Sequence, residues 1–186
     1  MKKLRPKPSI DELCYPFIYE ESTLCDYEII TDQLTRLVGW VIDELRELRL
    51  EYPNSKELKK LEEELNWLLP LCYHLNGSIR GKLAISEEDH LQLLNYYRAM
   101  KKEVDNLIHG FVLPGGRSPV GVLNQCSSLS KKAIRLMVII HNKENKEVAN
   151  ILPKFANLLC NYFFTATILI NKVTGFVETP FVSKSY

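Results

Sequence analysis

At 186 residues the chain has room for one domain with a full core and too little for two comfortable ones. Its 46% hydrophobic and 25% charged residues exclude a disordered or collagen-like protein. With 24 Lys and Arg against 23 Asp and Glu, no surplus of positive charge exists to neutralise a phosphate backbone, so no nucleic-acid partner is expected. A phosphorylated small molecule stays open, because it needs only a local cluster of cations.

Residues 1–26 carry Pro6, Pro8 and Pro16, lack periodicity, and are expected to form an extended arm. Their basic start has no apolar stretch behind it, so no signal peptide is expected. Five helices follow. In the first, over 27–50, Ile30, Leu34, Leu37, Val41, Leu45 and Leu48 share one face. In the second, Leu58, Leu61, Leu65, Leu68, Cys72 and Leu75 repeat the pattern behind an N-cap at Ser55, with Pro70 as a kink and Gly77 as a stop.

The third helix opens at Ser86, with Asp89 three positions on completing a near capping box, and runs to Gly110, with His109 beside the helix dipole. In the fourth, Ser118 is the expected N-cap and Pro119 the first helical residue, followed by Val122, Cys126, Leu129, Ala133, Leu136 and Ile140. The fifth spans 147–173, with Pro153 as a kink or as its true start and Gly175 as its close. Its most hydrophobic run, 158–170, is too short to cross a bilayer, so no membrane partner is expected. The fold class is therefore all-α, an antiparallel five-helix bundle.

Apolar residues beyond one stripe, namely Trp40, Trp67, Tyr96, Phe163 and Phe164, predict a second buried surface and a homo-oligomer. The five cysteines never form a C-x-x-C pair, and His74, His90 and His141 show no ligand spacing, so no metal site and a reducing, cytoplasmic setting are expected.

One stretch does not fit a plain bundle: FVLPGGRSPVG, from Phe111 to Gly121, places an apolar loop where a short polar turn would serve. Such a loop can be a rigid connector, with Gly115 and Gly116 supplying positive φ and Pro114 fixing direction. It can also form an apolar wall beside a fresh helix N-terminus, a setting for a flat ligand and an anion.

The loop, the helix after it and the cations within that helix resemble the ATP:cob(I)alamin adenosyltransferases of the human and PduO type, homotrimeric five-helix bundles of ferritin-like form. That family carries F-I-L-P-G-G and then R-x-x-x-R-R-A-E-R. In the family's register the first arginine falls on Ser127, the next two on Lys131 and Lys132, the alanine on Ala133, the glutamate on Ile134 and the last arginine on Arg135. TDQLTRLVGWV, residues 31–41, is similar to the family's T-x-D-E-L-N-S-x-I-G, which makes Asp32 the aspartate that pairs with the first arginine. In the fifth helix LPKFAN replaces L-N-R-L-S-D, with Pro153 for the nucleotide-touching asparagine and Asn157 for the aspartate. The family's T-G-D-x-G segment, whose backbone N–H groups wrap the triphosphate, has no counterpart, since the first glycine of the chain is Gly39.

The resemblance implies transfer of the 5'-deoxyadenosyl group of ATP to reduced cobalamin, with both molecules, the nucleotide as MgATP, as substrates. It implies that Phe111, with Val112 beside it, presses on the lower face of the corrin and displaces the axial base. It implies Asp32 as a second catalytic residue, and Ser127, Lys131, Arg135 and Asn157 as the remaining binding positions. Further cations for the triphosphate are Lys132, Arg117, Lys2, Lys3, Arg5 and Lys7. A family member that kept the trimeric bundle and lost the reaction, binding a corrinoid or serving as a scaffold, is the alternative.

Overall fold

The computed structural model describes residues 6–107 and 110–185. Five long helices are present: α1 (Thr23–Glu51), α2 (Lys56–Gly77), α3 (Glu87–Val104), α4 (Val120–Lys143) and α5 (Ile151–Thr174). Among the described residues there is no strand, only an isolated antiparallel bridge between Val112 and Pro180.

The start signals work as side-chain caps. Ser55 Oγ accepts the N–H of Leu58 at 3.2 Å, and Ser86 and Asp89 close a reciprocal capping box. Pro70 removes one intrahelical donor, yet α2 continues through it to Gly77. Gly175 ends α5 in the left-handed region at φ 72°, the conformation that favours glycine.

Four boundaries differ from the sequence expectation. The arm is shorter than 26 residues, because Ser22 caps α1 by accepting the N–H of Leu24 at 3.1 Å. The arm also contains a single 3-10 turn, Ile10–Glu12. The third helix stops at Val104 and gives way to a 3-10 turn, Asp105–Leu107; His109 lies outside the described residues. Ser118 does not cap α4: its hydroxyl donates to Glu44 Oε2 of α1 at 2.6 Å, and the N-cap position falls to Pro119. The fifth helix begins at Ile151 and not at 147, so of the two readings of Pro153 the start holds and the kink does not: it is the third residue of α5, and a proline in the first turn costs no hydrogen bond.

Consecutive helices run up and down. The antiparallel pairing of α1 with α4 is fixed at both ends: Thr23 N–H donates to Glu144 at 2.6 Å, and Arg117 pairs with Glu51 at 2.7 Å. Helix α5 has 16 of its 24 residues buried, which explains its apolar character on all sides: α4, α3 and α2 pack around it. Two polar bonds lie inside this core, Tyr27 Oη to the Leu75 carbonyl at 2.7 Å and Tyr162 Oη to the Glu64 carboxylate at 2.9 Å. Burial raises the pKa of Glu64, whose carboxylate accepts the tyrosine O–H on one oxygen and faces Lys60 Nζ at 3.9 Å on the other.

The expected second apolar surface is mostly consumed inside the protomer. Phe163 is fully buried, Phe164 packs on the core, and Trp67 stacks edge-on against Tyr96 with centroids 5.3 Å apart. Trp40 alone of the five is exposed, its indole N–H donating to Glu44 at 2.9 Å. Three layers around α5 need more apolar area than one stripe per helix, and these aromatics supply it.

Candidate functional site

The bundle has two ends. Residues 110–119 and the C-terminal segment sit at the C-terminal end of α1, α3 and α5; the arm sits at the opposite end.

At the loop end, Phe111 is 82% exposed, so its own protomer does not swallow the ring. The backbone beneath it is nonetheless ordered by a partner that sequence reasoning missed. Residues 111–113 pair with the C-terminal segment: Phe181 N–H donates to the Phe111 carbonyl and Leu113 N–H to the Thr179 carbonyl, both at 2.8 Å. Val112 is partly buried and lines a cavity of about 400 Å³ with Ile168, Asn171, Phe176, Glu178 and Pro180. Of the two loop glycines, Gly116 has positive φ, 134°, while Gly115 does not and is there for space: a Cβ on it would come 3.0 Å from the Phe176 ring. The signal that could have found this segment is TPFV, residues 179–182, an apolar β-prone run beyond the last helix.

Lys131, Lys132 and Arg135 are exposed on α4 and have no ion-pair partner among the described residues. Lys131 lies eleven residues into α4, about 16 Å along the axis from its start at the loop. Ser127, four residues earlier, does not join them on the surface. It is 7% exposed and donates to the Cys160 carbonyl of α5 at 3.2 Å, so the expected polar stripe begins at Lys131. Asn157 is exposed near the start of α5, its amide donating to the Pro153 carbonyl at 2.8 Å. Because α4 and α5 are antiparallel with Ser127 against Cys160, Lys131 and Asn157 step from that contact toward the same end of the bundle.

Asp32 on α1 is committed to a local partner, Arg36, at 2.7 Å, and this bond holds the guanidinium's pKa above its ordinary value. The pair borders a cavity of about 360 Å³ shared with Tyr15, Ile18, Glu28 and Asn76. Arg80 ties Glu28 of that lining to the arm: it bonds Glu28 at 2.7 Å and Glu20 at 2.7 Å, and its guanidinium lies 3.7 Å over the Phe17 ring. Tyr15 also donates to Glu28, and burial, then that bond, raises its pKa.

Asp32 is therefore paired with Arg36 and Ser127 with Cys160, and Arg117, one of the further candidate phosphate cations, is paired with Glu51. Lys7 is exposed on the arm; Lys2, Lys3 and Arg5 lie outside the described residues. No helix among those residues is long and apolar enough to cross a membrane.

The profile of the cobalamin adenosyltransferase family matches residues 30–170. No curated protein sequence matches the chain significantly. Solved structures with the same fold include an arginine-to-lysine variant of a PduO-type ATP:co(I)rrinoid adenosyltransferase from Lactobacillus reuteri complexed with ATP, at 18% identity and a TM-score of 0.72 over 88% of this chain and 90% of that one. A phenylalanine-to-alanine variant of a PduO-type ATP:corrinoid adenosyltransferase from that organism, complexed with cobalamin and ATP, is similar at 16% identity and a TM-score of 0.70, covering 89% of each chain.

Proposed function

Since the chain belongs to the cobalamin adenosyltransferase family, we propose that it moves the 5'-deoxyadenosyl group of ATP onto a reduced corrinoid, as a homotrimer in the cytoplasm. The cob(I)alamin cobalt would supply an electron pair to C5' of ATP. The Co–C bond forms, the C5'–O bond breaks, and triphosphate leaves with that bond's electrons, so the cobalt is formally oxidised from Co(I) to Co(III). The cob(I)alamin itself comes from an outside reductant.

The single observation that carries this proposal is the outward Phe111 ring on a backbone held by two 2.8 Å hydrogen bonds. An aromatic wall fixed in this way would press on the lower corrin face, keep an axial ligand out and make the cobalt easier to reduce. In this proposal Lys131 and Arg135 take the triphosphate, with Asn157 and Asp32 at its margin. The two substituted positions in the Lactobacillus reuteri variants are twenty residues apart, the separation of Phe111 and Lys131 here. The arginine-to-lysine variant is complexed with ATP, which supports lysine as compatible with nucleotide binding at that register, although it gives up arginine's bidentate fork.

A second reading is favoured by a separate observation. Ser127 is turned into the α4–α5 interface and Asp32 is spent on Arg36, so the family's aspartate–arginine pair has no counterpart. A chain of this kind could bind the corrinoid through Phe111 without turning it over. Anaerobic incubation with cob(I)alamin and MgATP, followed by absorbance, separates the two. Adenosylcobalamin formation supports the transferase, corrinoid binding without product supports the binding protein, and the absence of both leaves a scaffold.

A further inference from the structure

Asn171 stands where three segments of the chain meet. It is 2% exposed at the last turn of α5, and its main-chain carbonyl accepts the N–H of Phe176 at 2.9 Å, closing the helix. Its side-chain Nδ2 donates to the Gly115 carbonyl of the loop at 3.1 Å and to Glu178 Oε1 of the C-terminal segment at 2.9 Å. Both partners are acceptors, which fixes the amide's orientation. Its Oδ1 is buried with no hydrogen-bond partner, turned onto Gly116, where a Cβ would collide with it.

An orphaned buried acceptor is unfavourable and persists where the rest of the group is held for another purpose. Here that purpose is visible in the connections. The loop and the C-terminal segment touch each other through the pairing of 111–113 with 179–181, and both are tied to α5 through this one amide. Glycine at 116 is required because any side chain would displace the amide.

We infer that Asn171 is a positioning residue for Phe111: with Glu178 it latches the C-terminal segment to the loop, and the paired segment fixes where the exposed ring stands. What the ring is aimed at rests on the corrinoid function proposed above. The latch itself needs no ligand.

Hydrogen exchange on the full chain, without ligand, reads the latch directly. In the wild type the amides of Leu113 and Phe181 should exchange slowly although their segments are largely exposed. Asn171→Asp sets an acceptor against two acceptors, so exchange at 111–116 and at 178–182 should quicken together, by about tenfold or more, with α1 and α2 unchanged. Glu178→Ala, outside the core and unable to unfold the bundle, should act in the same direction, whereas Glu178→Gln keeps an accepting oxygen and should match the wild type. For the transferase reaction, Asn171→Asp should lower kcat while the KM for ATP stays put. If either segment keeps its protection in both Asn171→Asp and Glu178→Ala, the latch is overturned. Coupled loss of protection in a protein that neither binds nor adenosylates cobalamin would support the latch and reject the corrinoid function.

Discussion

The loop end of this bundle and the α4 face that we propose for the nucleotide are built in opposite ways. At the loop end the side chain that would meet a ligand is free, and its backbone is tied down by Phe181, Thr179 and Asn171. Around that face two side chains that would meet a ligand are already engaged with their own protomer, Ser127 with Cys160 and Asp32 with Arg36, whereas Lys131, Lys132 and Arg135 on α4 have no ion-pair partner among the described residues. Pre-organisation is stored where the backbone is bonded and the side chain is not. Under the proposed function Phe111 would offer a corrin wall already held by its backbone, while a triphosphate cradle would depend on exposed lysine and arginine heads.

The sharpest way to break this contrast is Phe111→Ala. Removing an exposed ring should leave thermal stability unchanged and slow adenosylation about a hundredfold, equivalent to about 2.7 kcal/mol of barrier. A loss of melting temperature instead would make the ring structural. Next comes Ser127→Arg, which restores the family's residue. Forcing a guanidinium into the α4–α5 seam should lower unfolding stability by about 2 kcal/mol in a urea titration and leave ATP affinity where it was. Tighter ATP binding at unchanged stability would place position 127 on the nucleotide.

Lys131→Ala should raise the KM for ATP about tenfold, and Lys131→Arg should lower it by supplying the bidentate fork. Equal KM values in all three proteins would free Lys131 of the role. The smallest effect concerns the arm. Hydrogen bonding from Arg80 holds the Glu20 carboxyl below its ordinary 4.5, so this contact stabilises the docked arm fully above 4.5 and fades as pH falls through the depressed folded-state value. Amide exchange in residues 13–21, corrected for its intrinsic pH dependence, should rise modestly in that window, and Glu20→Gln should flatten the change.

Periodicity made the helices legible because each buries a stripe whose spacing is fixed by 3.6 residues per turn, and the caps at Ser55 and Ser86 act as local chemistry dictates. Ser118 escaped that logic because a tertiary acceptor, Glu44, took the hydroxyl that a local rule assigns to the helix. Whether an aromatic serves an interface or the interior could not be read from its type: Phe163 and Trp40 look alike in sequence and part company once α5 is surrounded. The Phe111 loop could be recognised from its residues, but its support could not, since Asn171 and the 176–182 segment reach it across some 60 residues of chain and leave no periodic trace.

The central claim is that Phe111 is a preset wall for the lower face of a corrin. Electron paramagnetic resonance of cob(II)alamin bound to the protein with MgATP tests it most directly. The wild type should give the spectrum of a cobalt without an axial ligand, and Phe111→Ala should return the ligated form. A ligated cobalt in the wild type, or a spectrum indifferent to that substitution, would contradict the claim.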